Sequence, residues 1–293
     1  MHVAGRFTLF GVIAAAVLSL AVFSSARAAP AEPTKHAYRE VGGKPLNAFV
    51  FQPAGNATTP RSAILLFHGG GWAAGSAEWT FGSAQRFADL GLVAIAVDYR
   101  LSNETTTPAD SLEDTCAALA WARAHADELR IDTQRIAGYG VSAGGQLLGA
   151  AATGRCADAG LRPSALLMVS PALDVAADGW FEKLLRGRGK AKDYSPLEHV
   201  DASTPPALVI QGAADTLTPL RGAQKFCTAM RAAGKVCELA VYENVGHLLT
   251  RNLKNQENDF DPDPKASADG VERQKRFLRE HGFLPTASTT SKK

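Results

Sequence analysis

Short, mostly apolar runs alternate with amphipathic stretches along most of this chain, and that alternation constrains the fold more than any other feature. The runs are Ala63 to Phe67, Val93 to Val97, Arg135 to Tyr139, Ala165 to Val169, Ala207 to Gln211 and Glu238 to Tyr242. Each is too short for a buried helix and suits a strand covered on both faces. Between them, Trp79 to Leu90, Pro108 to Leu129, Ala143 to Thr153 and Pro219 to Ala233 carry helical spacing. Such βα units predict an α/β fold: a mostly parallel central sheet with helices on both faces. Ahead of them, Lys35 to Gln52 alternates around Gly42-Gly43, which predicts an antiparallel N-terminal hairpin. Sites in sheets of this kind lie at the carboxyl ends of the strands.

The chain has 293 residues, 46% of them hydrophobic and 20% charged, enough to bury one full core. No period of about 20 to 50 residues repeats, which excludes a solenoid. The segment Asp174 to Val200, with GWFEKLLRGRGKAK, is a small insertion that interrupts the alternation, and it reads equally as a lid or as a surface excursion. DFDPDP places acids at alternate positions, but Pro264 stands where a calcium loop needs glycine, so a Pro-stiffened connection is expected. A last helix is expected over Val271 to His281, presenting Val271, Phe277 and Leu278 to the body.

MHVAGR, the apolar run Phe7 to Phe23 and Ala26-Arg27-Ala28 follow the order of a secretory signal peptide. The expected organisation is a signal peptide over 1–28, one domain over 29–284 and a disordered tail over 285–293, with secretion or periplasmic export. The alternative, an uncleaved anchor, needs a span of about 20 apolar residues. Cleavage after Ala28 would remove Arg6 and Arg27 from the 31 basic residues, leaving 29 against 29 acidic. That balance offers no general attraction to nucleic acid. Four cysteines, Cys116, Cys156, Cys227 and Cys237, suit disulfides in an exported chain. Cys116 with Cys156 would tie two helices, and Cys227 with Cys237 would join a helix to the next strand. Other pairings, or four free thiols, stay open. No C-x-x-C or H-E-x-x-H metal spacing occurs.

GYGVSAGG, from Gly138 to Gly145, reads as G-x-S-x-G centred on Ser142 or as a G-x-G-x-x-A dinucleotide turn. A dinucleotide turn belongs in the first βα unit and needs an acid about 20 residues on, at the end of the next strand. Here two expected strands of the sheet precede it, and Asp158 falls in the polar stretch GRCADAG. The nucleophile-elbow reading requires a base, an acid to hold it, and the order Ser, acid, His. PALVIQG runs into AADTLTP, placing Asp215 at a strand's carboxyl end, and ELAVYENVGH delivers His247 one strand later. Gly140 and Gly144 leave room for the sharp turn. Ser142 would open a helix, so the N–H of Ala143 is one expected oxyanion donor, with Gly70 and Gly71 of HGGGW supplying others.

Several positions allow more than one role. Asp174 also follows a strand and competes with Asp215 as the acid; Asp98 is expected to pair Arg100 or backbone donors. His68 is expected to shape its loop, and His125 and His199 to lie at the surface. Trp72, Trp79 and Trp180 offer stacking faces for a sugar or else pack, with Trp72 the candidate substrate-binding residue.

With HGGGW, VDYRL, RIAGYGVSAGG, ADTLTP and GH in that order, the chain from about Tyr38 to Leu284 resembles the α/β-hydrolase superfamily. Within it, it is similar to the hormone-sensitive-lipase-like and the acetyl or feruloyl esterase-like carboxylesterases. The resemblance implies a Ser142–His247–Asp215 triad, an oxyanion hole of Gly70, Gly71 and Ala143, no cofactor, and a small-molecule or oligosaccharide ester as substrate. No nucleic-acid or stable membrane partner is expected. Val141 stands where many hormone-sensitive-lipase-like members carry an acid, and the stretch before His68 leaves little room for their N-terminal cap. The function expected is secreted hydrolysis of short acyl esters, such as acetyl or feruloyl esters of plant polysaccharides. A prolyl-oligopeptidase-like peptidase or a catalytically dead binding protein of the same fold are the alternatives.

Overall fold

The computed structural model describes residues 32–55 and 59–285. The expected signal peptide and most of the expected tail lie outside the described residues. Among the described residues eight strands run in chain order: β1 (Thr34–Val41), β2 (Lys44–Phe51), β3 (Arg61–Phe67), β4 (Val93–Val97), β5 (Ile131–Val141), β6 (Ala165–Val169), β7 (Ala207–Gly212) and β8 (Cys237–Tyr242). They form one sheet in the order β1-β2-β4-β3-β5-β6-β7-β8. β1 and β2 form the antiparallel hairpin, β2 pairs antiparallel with β4, and every later pairing is parallel.

The helices are α1 (Phe81–Asp89), α2 (Pro108–Ala124), α3 (Ala126–Leu129), α4 (Ala143–Ala150), α5 (Gly179–Leu185), α6 (Ala191–Tyr194), α7 (Leu220–Ala232) and α8 (Pro264–Glu280). Strand residues alternate between two cores. On one face Leu65, Phe67, Ile136, Leu166, Met168 and Val209 pack with Leu119 of α2, Leu147 of α4 and Phe226 of α7. On the other, Ile64, Leu66, Leu167, Leu208 and Ile210 pack with Phe87 of α1 and with Phe277 and Leu278 of α8. Two covered faces explain why these strands read as unbroken apolar runs rather than as an alternating pattern.

Two boundaries have local causes. α2 starts at Pro108 because Pro has no N–H to leave unpaired, while Asp110 reaches back to accept from the N–H of Thr107 at 2.8 Å. α8 starts at Pro264, seven positions before the Val271 expected from sequence. Asp263 is its N-cap, accepting from the N–H groups of Lys265 and Ala266 at 2.9 and 2.8 Å. DFDPDP is thus partly a helix start. The buried face of α8 is Ala266, Gly270, Gln274, Phe277 and Leu278, with Val271 only half-buried.

Two disulfides, Cys116–Cys156 and Cys227–Cys237, join α2 to the chain just beyond α4, and α7 to the first residue of β8. Among the described residues no helix is long and apolar enough to cross a membrane.

Candidate active site

β5 ends at Val141 and α4 begins at Ala143, so the whole reversal falls on Ser142. Its φ of 51° and ψ of −116° lie where side-chain-bearing residues are rarely found. The backbone is pinned there by the Ser142 N–H donating to Val169 O at 3.0 Å. Gly144 lets α4 come down onto the end of β3: a Cβ on it would stand 2.2 Å from the carbonyl oxygen of Phe67. Ser142 is therefore raised above the sheet at the head of a helix, where unpaired N–H groups favour negative charge.

The loops after β7 and β8 bring Asp215 and His247 to the same rim. His247 Nε2 is 3.0 Å from Ser142 Oγ, and Nδ1 is 2.9 Å from Asp215 Oδ2. Both residues are buried. A carboxylate only accepts, so Nδ1 carries the proton and Nε2 is left to accept from the serine hydroxyl. Asp215 is itself held: Oδ1 accepts from the N–H groups of Leu217 and Thr218 at 3.0 and 2.8 Å, and Oδ2 from Gln211 Nε2 at 2.9 Å. Thr218 Oγ1 sits between Asp215 Oδ2 at 2.9 Å and the carbonyl of Ser170 at 3.0 Å. Ser170, fully buried at a φ of 45°, accepts from the Leu248 N–H at 3.0 Å, steadying the residue after the imidazole.

Gln211, Thr218 and Ser170 were not singled out from the sequence. Serine, threonine and glutamine occur everywhere, and only the fold shows what these three touch. The ADTLTP motif contained Thr218, and an Asx-type turn starting from Asp215 is the one local signal that pointed to it.

The loop after β3 passes beside Ser142: a Cβ on Gly69 would lie 3.2 Å from Ser142 Cβ. Gly70 has a φ of 111°, and any side chain there would meet the Ala74 carbonyl at 2.1 Å. Among the described residues no acceptor engages the N–H of Gly70, Gly71 or Ala143. His68 shapes this loop. It is buried, contacts Gly69 O through Nδ1 at 2.7 Å, and stacks on Tyr99 with ring centroids 4.2 Å apart. Burial holds the His68 imidazole below the ordinary histidine range and pushes the Tyr99 phenol up.

Trp72 does not offer a stacking face. At a φ of 62° its indole turns into the core, 4% exposed, edge-on to Phe181 and donating to Gln146 Oε1 at 2.8 Å. The neighbouring aromatic at the surface is Trp180 of α5, 49% exposed, whose Nε1 donates to the Gly71 carbonyl at 3.2 Å. The insertion Asp174 to Val200 therefore buttresses the glycine loop through Trp180 and Phe181. Trp79 is exposed and edge-on to His68. Asp174 pairs Lys225 at 2.7 Å and takes no part in holding His247. Asp98 accepts from the Ala77 N–H at 3.1 Å, while Arg100 turns to Asp110, Glu113 and Asp114. His125 and His199 are half-buried, each contacting a backbone carbonyl.

An elbow serine, an imidazole and a carboxylate at the carboxyl ends of parallel strands define a hydrolase class built on this sheet. Residues 64–251 match the family model described as the alpha/beta hydrolase fold, and the chain belongs to that family. It is 28% identical over 208 residues to esterase LipC of Mycobacterium tuberculosis, covering 61% of this chain and 50% of that one. An arylesterase of Saccharolobus solfataricus is 39% identical over 93 residues, 31% of this chain and 30% of the other. Esterase 2 of Thermogutta terrifontis superposes with a TM-score of 0.75 at 30% identity, covering 88% of this chain and 95% of that one. The chain spans half or less of the length of these two curated relatives.

Proposed function

We propose that this chain is a serine carboxylic ester hydrolase acting on short acyl esters. The observation that carries the reading is the 3.0 Å approach of His247 Nε2 to Ser142 Oγ, with Asp215 on the far side of the ring. His247 takes the hydroxyl proton as Oγ bonds to the ester carbonyl carbon. The oxygen turns negative and meets the N–H groups of Gly70, Gly71 and Ala143. His247 then gives the proton to the leaving alkoxide as the carbon–oxygen bond breaks. Water, deprotonated by the same imidazole, attacks the acyl-enzyme, releases the acid and restores Ser142.

Short acyl groups are favoured because the similar Thermogutta esterase 2 has been solved with propionate and with butyrate bound. The exposed rings of Trp180 and Trp79 suit a sugar ring or an aromatic acyl group. Acetyl or feruloyl esters of plant polysaccharides are accordingly the substrates proposed. Export is supported by the leader-like start of the chain and by the two disulfides.

A panel of p-nitrophenyl esters from acetate to palmitate, with acetylated xylan and methyl ferulate alongside, tests the reading. Turnover should peak at four carbons or fewer and fall by about 10⁴-fold or more in Ser142→Ala. Equal turnover by that variant, or a peak on palmitate, would sink it.

A further inference from the structure

The acid and the base stand on separate loops, one after β7 and one after β8, and catalysis needs a fixed distance between them. The last main-chain links between those loops run from the N–H of Ala213 to Tyr242 O at 2.9 Å and from the N–H of Ala214 to Val245 O at 3.0 Å. Beyond that point no main-chain hydrogen bond joins the two loops among the described residues. The side chain of Gln256 bridges them instead. Its Oε1 accepts from the N–H of His247 at 2.9 Å and from the N–H of Thr216 at 3.1 Å, and its Nε2 donates to Ala214 O at 3.0 Å. These partners are the base itself and the two residues flanking the acid. Two N–H groups on one end and a carbonyl on the other allow a single orientation of the amide.

Independent features point to the same contact. Gln256 is 5% exposed although it comes from the polar run NLKNQEND, so burying it has been compensated by these bonds. Gly246 gives it passage, since a Cβ there would stand 2.4 Å from the carboxamide carbon of Gln256. The loop that carries it is closed at its neck. Thr250 bridges Pro262, and Arg251 pairs Asp261 at 2.7 Å. Inside the loop, Asn252 Nδ2 donates to Asp259 Oδ2 at 2.8 Å. This gives DFDPDP a second task beyond starting α8, because Asp259 and Asp261 hold the excursion in shape.

We infer that Gln256 is a positioning residue that sets the separation of Asp215 and His247 by clamping their two loops together. The inference rests on the triad reading above. Removing the clamp leaves the substrate surface intact and loosens only the imidazole, so the loss belongs in kcat rather than KM. A displacement of about 1 Å costs on the order of 10²-fold in rate.

Three variants separate clamping from packing. Gln256→Ala removes bonds and volume. Gln256→Met fills the volume without the bonds. Gln256→Glu keeps both accepted bonds, and in its protonated form the O–H takes the place of the Nε2 donor to Ala214 O. With p-nitrophenyl acetate, kcat should fall about 10- to 100-fold in the Ala and Met variants, recover to within about fivefold of wild type in Glu, and leave KM within about threefold throughout. A Met variant with wild-type kcat would reduce Gln256 to a space-filler and overturn the proposal. So would equal losses in Met and Glu.

Hydrogen exchange at the His247 and Thr216 amides supplies a readout that needs no turnover. Protection should be lost in Met and kept in Glu, and unchanged protection in Met overturns the clamp. If the wild type hydrolyses no ester, the functional reading fails by itself, and the exchange result still decides whether Gln256 joins the loops.

Discussion

At the level of single residues, the site divides into the row Ser142, His247 and Asp215 and the groups that hold that row still. Thr218 belongs to the second kind, giving Asp215 both an N–H and a hydroxyl contact. Thr218→Val keeps the shape and the N–H but deletes the hydroxyl, so kcat is expected to fall about tenfold, the worth of one hydrogen bond to a charged group. KM for p-nitrophenyl butyrate should stay level; a drop confined to KM would contradict that role. His68 makes a different prediction. Its imidazole is held below the ordinary range by burial, so the unfolded chain binds that proton more readily than the folded one. Its contribution to stability is therefore present above about pH 6.5 and is lost as pH falls through the folded value. The urea midpoint should decline between pH 7.5 and 5.5 in wild type, and less steeply in His68→Gln. Ser142, Asp215 and His247 were legible because each closes a strand within a short motif and the three follow in the order Ser, acid, His. Thr218, Ser170 and Gln256 were not, because their work exists only once distant loops meet. Trp72 shows the same limit: its position in HGGGW is plain, but which way a residue at positive φ aims its ring is decided by the packing around it.

The elements show the same division. Apolar runs located every strand of the parallel sheet, since a strand buried on two faces has no choice but to be apolar. Helix ends were harder, because a D-P pair reads as a linker or as a cap depending on whether the next turn finds a surface to cover. At α8 it does, through Ala266 and Gly270. Asp263→Ala should cost about 1 kcal/mol of stability by loss of the cap, seen as a lower urea midpoint with an unchanged slope. The insertion that carries α5 illustrates what sequence leaves open. Its composition suited a lid or a surface excursion, whereas its indole bond to Gly71 makes it the outer support of the glycine loop. Trp180→Phe keeps a ring while deleting that bond. It is expected to lower kcat about fivefold on p-nitrophenyl acetate, and an unaltered kcat would mean that the glycine loop holds its shape alone.

For the molecule as a whole, the two disulfides decide how much disturbance the site tolerates. One fastens the chain leaving α4, the helix that begins just after Ser142, and the other fastens the start of β8, the strand that leads to His247. By the chain-entropy argument, sequence separations of 40 and 10 residues correspond to about 4 and about 3 kcal/mol taken from the unfolded state. Domains are stable by only about 5–15 kcal/mol, so both together are a large share of the total. Cys116→Ser/Cys156→Ser should therefore lower the urea midpoint more than Cys227→Ser/Cys237→Ser. The pairs share no partner, and their losses should add to within about 0.5 kcal/mol in the quadruple variant. Catalysis should respond differently. The sheet and the loop contacts around Ser142, Asp215 and His247 do not include the sulfur atoms, so each variant, once folded, should keep its kcat below its own unfolding transition. A kcat that fell at temperatures where tryptophan fluorescence still reported the folded state would mean that the cross-links shape the site directly instead of restraining the unfolded chain.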